Sequence, residues 1–450
     1  MIGLEIHGYI ETDEKLFCNC KNFHDMKKIK PNVNICPVCT GQPGSKPMLP
    51  NKTAIDKAIE IALILGCKVS SDLVFQRKHY SWPDMPTGYQ KTISGAHSDF
   101  LGVNGKFLGI KITEVHLEED PGAWNPDTGK VDFNRAGAPL IEIVTEPDFV
   151  SSEEVGGWLK QLVLTLSYVK ALSKDAGIKA DVNVSIKGVS VRAEVKNVNS
   201  ISEIQKVIDA EFERHQREKP KSMETRRWLP KECETELMRS KENAQDYRFI
   251  PDPDLPVIKI DGKRVKDLEK KLPETPMAKL DKIIKKHKID KKSAEILIGN
   301  LEIAELYEAV ILEVDAKFAL PWIVTEWFGV LNYNKKTMDN VEIESSHFIE
   351  LLNLLKDNKI TPLKAKEIMR KYIPKSFSPK KEAVIGGKME DEGELGKVIE
   401  GILKENKKSK DDFNSGNKNA LNFLIGQVMH KTNKRADYIV VRKLLESMLS

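Results

Sequence analysis

Over roughly the first 200 residues, apolar positions repeatedly alternate with polar ones, the period of a half-buried strand. In residues 2–7, Leu4 and Ile6 face one way and Glu5 and His7 the other. Residues 114–118 repeat the pattern with Glu114, His116 and Glu118 together, and Glu119 and Asp120 follow. In residues 181–186, Asp181, Asn183 and Ser185 oppose three aliphatics, and residues 191–196 gather Arg192, Glu194 and Lys196 on one side. The solvated face of an antiparallel sheet explains any one of these strands. Four strands that offer carboxylates, His, Asn and Ser point instead to a polar working face, provided that they converge.

Near residue 276 the period becomes helical. In 276–288, Met277, Leu280, Ile283 and Ile284 form an apolar stripe, with Lys279, Lys282, Lys285, Lys286 and Lys288 outside it. Thr361 followed by Pro362 reads as an N-cap and first turn, with Leu363, Ile368 and Met369 inward. Breaks at Gly386-Gly387 and 391–393 precede a last small unit. There Leu421, Leu424, Ile425, Val428 and Met429 share one helix face, and Val440, Val441, Leu444, Leu445 and Met448 share the next. The expected organisation is α+β: residues 1–275 with an antiparallel sheet, a helical domain at 276–390 and a small helical tail domain at 391–450.

With 450 residues the chain is long enough for two or three domains of about 150 residues. No apolar run approaches the ~18 residues of a membrane span, and Glu5 and His7 stand where a signal peptide would be unbroken and apolar. The net charge of +4 is unevenly spread: residues 401–450 alone carry +5. A basic tip on a near-neutral body suits contact with a polyanion, although solvated loop charges read the same way. The Lys-rich stretches 285–292 and 404–410 are expected to be solvated faces.

Four of the six cysteines fall at Cys18, Cys20, Cys36 and Cys39. Two close thiol pairs across a short loop suit tetrahedral zinc, because thiolates are soft ligands and four of them close the coordination sphere. Such a metal would be structural. The Cys-x-Cys half is tight, so His24 stands as an alternative ligand, and reduced buried thiols are the plain alternative. Arg77-Lys78-His79-Tyr80-Ser81-Trp82-Pro83-Asp84 has the composition of an anion site, but no P-loop run and no Gly-x-Ser-x-Gly elbow occurs.

In order, IGLEIH (2–7), LFCNC (16–20), NVNICPVCTGQPG (32–44), RKHYSWPDMPTGYQ (77–90) and HLEEDPG (116–122) are followed by VDFNRAGAPLIEIVTEPD (131–148), DVNVSI (181–186) and AEVKNVNS (193–200). ETRRW (224–228), MRSKENAQDYRFIPDPDLP (238–256) and FNSGNKNALNFLIGQVM (413–429) complete the series. Across essentially the whole chain this resembles the B subunit of the tRNA-dependent aspartyl/glutamyl amidotransferase, GatB. The E subunit of the archaeal glutamyl-specific enzyme shares the N-terminal motifs. It carries a large extra domain, whereas here Pro256 leads to the helical region within about twenty residues.

The resemblance implies a cradle-like catalytic domain, a helical domain and a tail. It implies a cytoplasmic, ATP-dependent carbon–nitrogen ligase component that phosphorylates the side-chain carboxylate of misacylated Asp-tRNA(Asn) or Glu-tRNA(Gln) and amidates it. Ammonia would come from glutamine hydrolysed by an amidase A subunit, bridged by a small C subunit; no membrane or DNA partner is implied. Glu5, His7, Glu118 and Glu119 would form the Mg²⁺ and phosphate-proximal set, with His116 behind them. Lys78 would neutralise the transferring phosphate beside Tyr80, and Asp181, Asn183 and Ser185 would line the pocket, with Lys78, Asn183 and Ser185 touching ATP. The competing expectation is a zinc-clipped module that only presents tRNA to another catalyst.

Overall fold

The computed structural model describes residues 1–23, 29–80, 82–172, 177–241, 247–385, 389, 392–415 and 417–449. His24, Ser81, the Gly386-Gly387 break and Asp391 lie outside the described residues. The chain divides into two compact units, Met1–Thr275 and Pro276–Ser450.

The first unit is built on strands β1 (Ile2–Tyr9), β2 (Gln76–His79), β3 (Tyr89–Thr92), β4 (Gly102–Phe107), β5 (Ile110–Glu119), β6 (Pro139–Thr145), β7 (Ile178–Val184), β8 (Ala193–Asn199), β9 (Met223–Leu229) and β10 (Glu234–Lys241). They lie in the order β10-β9-β8-β7-β1-β6-β5-β3-β2, with β4 also on β5. Two short edge pieces, Lys68–Val69 and Ile250–Pro251, complete twelve strands among the described residues. All neighbours in this order pair antiparallel except β8 with β9. β8 starts at Ala193, so Arg192 precedes the strand, and β7 ends before Ser185.

The alternation decides what each face meets. Leu4, Ile6, Val115, Leu117, Ile141, Ile143, Val182 and Val195 are buried on one side. They join a single core with helices α1 (Lys52–Ile64), α2 (Ser152–Tyr168) and α3 (Ile201–Glu218). Each helix begins where a short polar side chain accepts orphan N–H groups: Asn51 from Thr53 and Ala54, Ser151 from Glu154, Ser200 from Glu203. Gly8 falls on this apolar side, where a Cβ would press to 3.0 Å from Leu172; its absence lets Leu172 close over the strand. With the helices covering that face, the polar face stays open.

The second unit is helical. Its first helix, Pro276–His287, keeps Leu280 and Ile283 inside but leaves Met277 43% exposed. Lys279, expected outside, is buried and pairs with Glu308 at 2.7 Å, which satisfies its charge. Thr361 caps Pro362–Arg370 by accepting from Lys364, with Ile368 and Met369 buried; Leu363 is 38% exposed, because Lys364 and Ala365 take the inward positions. Within residues 392–449, Leu421, Leu424, Ile425, Val428 and Met429 pack with Val441 and Leu445 in a core of their own. The connection between those helices is engaged: the Thr361 hydroxyl donates to the Lys434 carbonyl at 2.6 Å, and Lys434 Nζ stands 3.3 Å from Glu367.

Candidate active site

The registers bring the polar faces together. Glu5 lies opposite Asp181 and His7 opposite Lys179 across β1–β7, His7 opposite Glu142 across β1–β6, and Glu142 opposite His116 across β6–β5. Consecutive strands therefore present their alternate residues to one cavity of about 640 Å³, whose lining includes His7, Lys78, Tyr80, Glu118, Lys179 and Asp181.

Glu142 is the electrostatic centre. Its Oε2 is 3.3 Å from His7 Nε2 and 3.0 Å from His116 Nε2. Burial opposes its ionisation, yet the two histidines hold it well below the usual carboxylate range. Burial alone would depress the His7 imidazolium; Glu142 outweighs this by charge and hydrogen bond and lifts His7 to about 9. His116 is raised by the same balance. Glu118 completes the group: His7, Glu118 and Glu142 offer ligand atoms within 4.8 Å of one another. Its Oε2 is buried without a hydrogen-bond partner. That oxygen, 3.9 Å from His116 Nε2, keeps spare acceptor capacity; with the second carboxylate it suits a hard divalent cation, and the imidazole is a softer third donor. Lys78 adds fixed positive charge, its Nζ 5.0 Å from the Tyr247 ring centroid. Burial opposes that charge, and Glu118 and Glu142 more than restore it.

A second acidic group, Glu5, Asp181 and Glu194, already holds a cation. Lys196 Nζ lies 2.5 Å from Asp181, 2.7 Å from Glu194 and 3.9 Å from Glu5. Asn183 donates to Glu5 at 3.1 Å and so fixes its carboxylate. At the other end of the cavity, Tyr9 donates to Asp120 at 2.8 Å and Arg135 pairs with the same carboxylate at 2.7 Å. Lys179 stands nearby; burial, then Arg135, lower its affinity for a proton.

The expected single set of Glu5, His7, Glu118 and Glu119 is thus not one cluster. His7 and Glu118 meet around Glu142, and Glu5 belongs to the Lys196 group. Glu119 is on the opposite face, where its Oε1 accepts from Lys91 N at 3.0 Å and Nζ at 2.9 Å. Successive strand residues point to opposite sides, so Glu118 and Glu119 cannot share a ligand. Tyr80 and Asp181 line the cavity. Asn183 and Ser185 do not: Asn183 stops at Glu5, and Ser185 lies beyond β7, its backbone paired with Met1. Sequence reasoning does not single out Glu142, Arg135, Lys179 or Tyr9. Glu142 is visible as a lone carboxylate in the apolar alternation of 140–144, and Tyr9 as the next polar-face position after Glu5 and His7. Nothing local marks Arg135 or Lys179.

The four clip thiols, Cys18, Cys20, Cys36 and Cys39, offer sulfur atoms within 4.8 Å of one another and form no disulfide. Cys39 ionises more easily than a free thiol: a hydrogen bond with Cys18, then the Cys36 backbone and the Lys15 ammonium, outweigh burial, and Cys18 moves the other way. This chemistry fits a tetrathiolate metal such as zinc. The clip is tied to the loop before β6: Asn34 N donates to Asn134 at 2.9 Å, and Leu16 N to Gly137 O at 2.8 Å. That loop carries Arg135 into the cavity.

Fold and site define an α+β protein with a carboxylate–histidine cluster lining its cavity and a separate four-cysteine clip, followed by a helical unit. A family model described as the GatB/GatE catalytic domain matches residues 1–266, and one described as the GatB domain matches 305–449. Proteins named as the B subunit of aspartyl/glutamyl-tRNA(Asn/Gln) amidotransferase align along nearly their full length. That of Methanocaldococcus jannaschii is 44% identical over 99% of this chain and 97% of its own. Those of Methanococcus maripaludis strain C5 and Methanosphaera stadtmanae are 42% and 41% identical, over 99% and 100% of this chain and 98% and 99% of their own. The chain belongs to this GatB family.

Proposed function

We propose that the chain is the carboxylate-activating, amide-forming subunit of a glutamine-dependent tRNA amidotransferase. Its substrates are Asp-tRNA(Asn), Glu-tRNA(Gln) or both, with ATP. The observation that carries this reading is the buried Glu118 oxygen, which accepts no hydrogen bond, beside His7, Glu142 and Lys78, a cation-and-phosphate arrangement that tRNA binding alone does not need. His7, Glu118 and Glu142 would hold Mg²⁺, which when bound neutralises phosphate charge and orients the transferring group. Lys78 meets the γ-phosphate as the side-chain carboxylate oxygen attacks phosphorus and ADP leaves. Ammonia from an amidase A subunit, assembled with a small C subunit, then attacks the acyl carbon; phosphate leaves, and nitrogen loses one proton.

Zinc in the cysteine clip would be structural, holding the Arg135 loop. Residues 276–390 and 391–450 would serve as helical and tail domains that grip tRNA, in the cytoplasm. Amidation of each misacylated tRNA with free ammonium, alongside tRNA-dependent ATP hydrolysis by the assembled subunits, tests the reading. ATP turnover that ignores acylated tRNA would overturn it in favour of a substrate-presenting module.

A further inference from the structure

In the second unit, residues 316–333 form a continuous helical run whose middle turn, Trp322–Trp327, is a π-helix. Such wide turns are rare and recur at functional sites. Here Trp327 stays fully buried, its indole N–H donating to Met338 sulfur at 3.2 Å. Beside it lies a cavity of about 520 Å³ between this run and helix Pro362–Arg370.

The lining is specific in kind. Val330 and Met369 supply an apolar floor, and Gly329 leaves room: a Cβ placed there meets nothing within 4 Å. At the rim stands Tyr333, 89% exposed, a large ring held out in water. Arg370, also at the rim, has no ion-pair partner among the described residues. Lys366 is held across the opening by Glu326 at 2.7 Å. An exposed aromatic face, an unpaired guanidinium and an apolar slot suit a flat, neutral aromatic ring that is tethered to a separate anionic group.

We propose that this cavity takes one unstacked nucleobase of the bound tRNA, stacked on Tyr333, with its phosphate on Arg370. The inference rests on the tRNA reading above and adds a site that the catalytic cavity does not explain. RNA is recognised chiefly where bases are splayed out and stack on aromatic or arginine planes. The charge balance agrees, since Glu326 is already neutralised by Lys366 and Arg370 is left for the ligand.

The test measures affinity of the assembled subunits for an unacylated tRNA transcript, with amidation as a parallel readout. Gly329→Leu fills the slot and raises helix propensity, so it is expected to keep the melting temperature. It should weaken tRNA binding by about tenfold, as should Tyr333→Ala, while Tyr333→Trp restores it. Arg370→Met should reduce the slope of log affinity against log salt by about one. Unchanged affinity in Gly329→Leu and Tyr333→Ala, with wild type amidating tRNA normally, overturns the pocket and leaves the tRNA reading intact. Failed assembly of Gly329→Leu with its partner subunits would make the cavity a protein-docking site and also overturn the proposal. A wild-type assembly that neither binds nor amidates tRNA overturns both.

Discussion

Glu118 and Glu119 are adjacent on one strand and serve opposite sides of the sheet: Glu118 lines the cavity with an oxygen that accepts no hydrogen bond and stands 3.9 Å from His116 Nε2, and Glu119 is buried against Lys91. Their amides should therefore fail differently. Glu118→Gln removes one of the two carboxylates beside Lys78 and His7 and should cost orders of magnitude in ATP-dependent activation; Glu142 still balances both cations, so the melting temperature should fall less than in Glu119→Gln. Glu119→Gln takes the counter-charge from the buried Lys91 ammonium and leaves it the Phe17 and Tyr89 ring faces, a loss of about 3–5 kcal/mol in stability, with turnover per folded molecule largely kept. Melting curves and rates normalised to folded protein separate the two. Equal losses in both measurements for both variants would refute the division.

The pH response follows from His7. Its pKa in the ion-free protein is raised from 6.5 to about 9, so its contribution to stability is complete below 6.5 and is lost as pH rises through about 9. A cation at His7, Glu118 and Glu142 needs the neutral imidazole and must displace that proton. Between pH 6.5 and 9, apparent Mg²⁺ affinity should therefore rise with pH, approaching about tenfold per unit for one proton released. Over the same window the stability of the ion-free protein should fall. His7→Gln should flatten both slopes. Mg²⁺ affinity that is independent of pH, measured by titration with proton-release calorimetry, would exclude His7 as a ligand.

The polar faces are legible in the sequence because alternation is local; their convergence is not, because it depends on pairings such as His7 with Glu142 and Glu5 with Asp181. Reading Glu118, Glu119 and Asp120 as one acidic run obscures the rule that adjacent strand residues part company. Glu142 escapes notice for the opposite reason: one carboxylate among aliphatics looks incidental until two histidines flank it. Lys279 shows the same limit in the helical unit. Its charge argues for solvent, and only the distant Glu308 makes burial tolerable.

The cysteine clip makes a stability prediction that involves Lys15. This lysine is 1% exposed, and its ammonium reaches Asn34 O at 3.2 Å, Phe133 O at 3.4 Å and Cys39 Sγ at 3.6 Å. Among the described residues no carboxylate pairs with it, so thiolate is its counter-charge. One zinc per chain is expected, and a strong chelator should lower the melting temperature. Lys15→Met should weaken zinc binding in chelator competition, yet leave the metal-free protein melting no earlier than wild type, since it also removes a buried ammonium. Zinc affinity unchanged by that substitution would show that the lysine and the thiolates are uncoupled.

The basic end of the chain carries the last prediction. Lys431 pairs with Glu405 at 3.6 Å, with both side chains about 60% exposed, and Lys434 pairs with Glu367 at 3.3 Å. The exposed Lys431 pair is worth little, and Glu367 keeps Lys364 and Lys371 when Lys434 leaves it, so either lysine can exchange its carboxylate for a phosphate at small cost. If they meet tRNA, Lys431→Ala and Lys434→Ala should each reduce the salt slope of tRNA affinity by about one, with affinity falling uniformly across tRNA sequences. Lys434→Ala should leave the local fold in place, because Thr361 holds the Lys434 carbonyl and not its side chain. Thr361→Ala is the control: it removes both the helix cap and that tie, and should cost about 1 kcal/mol in stability without altering the salt slope. Salt slopes identical to wild type in both lysine variants would leave these charges as solvated surface and move the tRNA contact elsewhere in the helical unit.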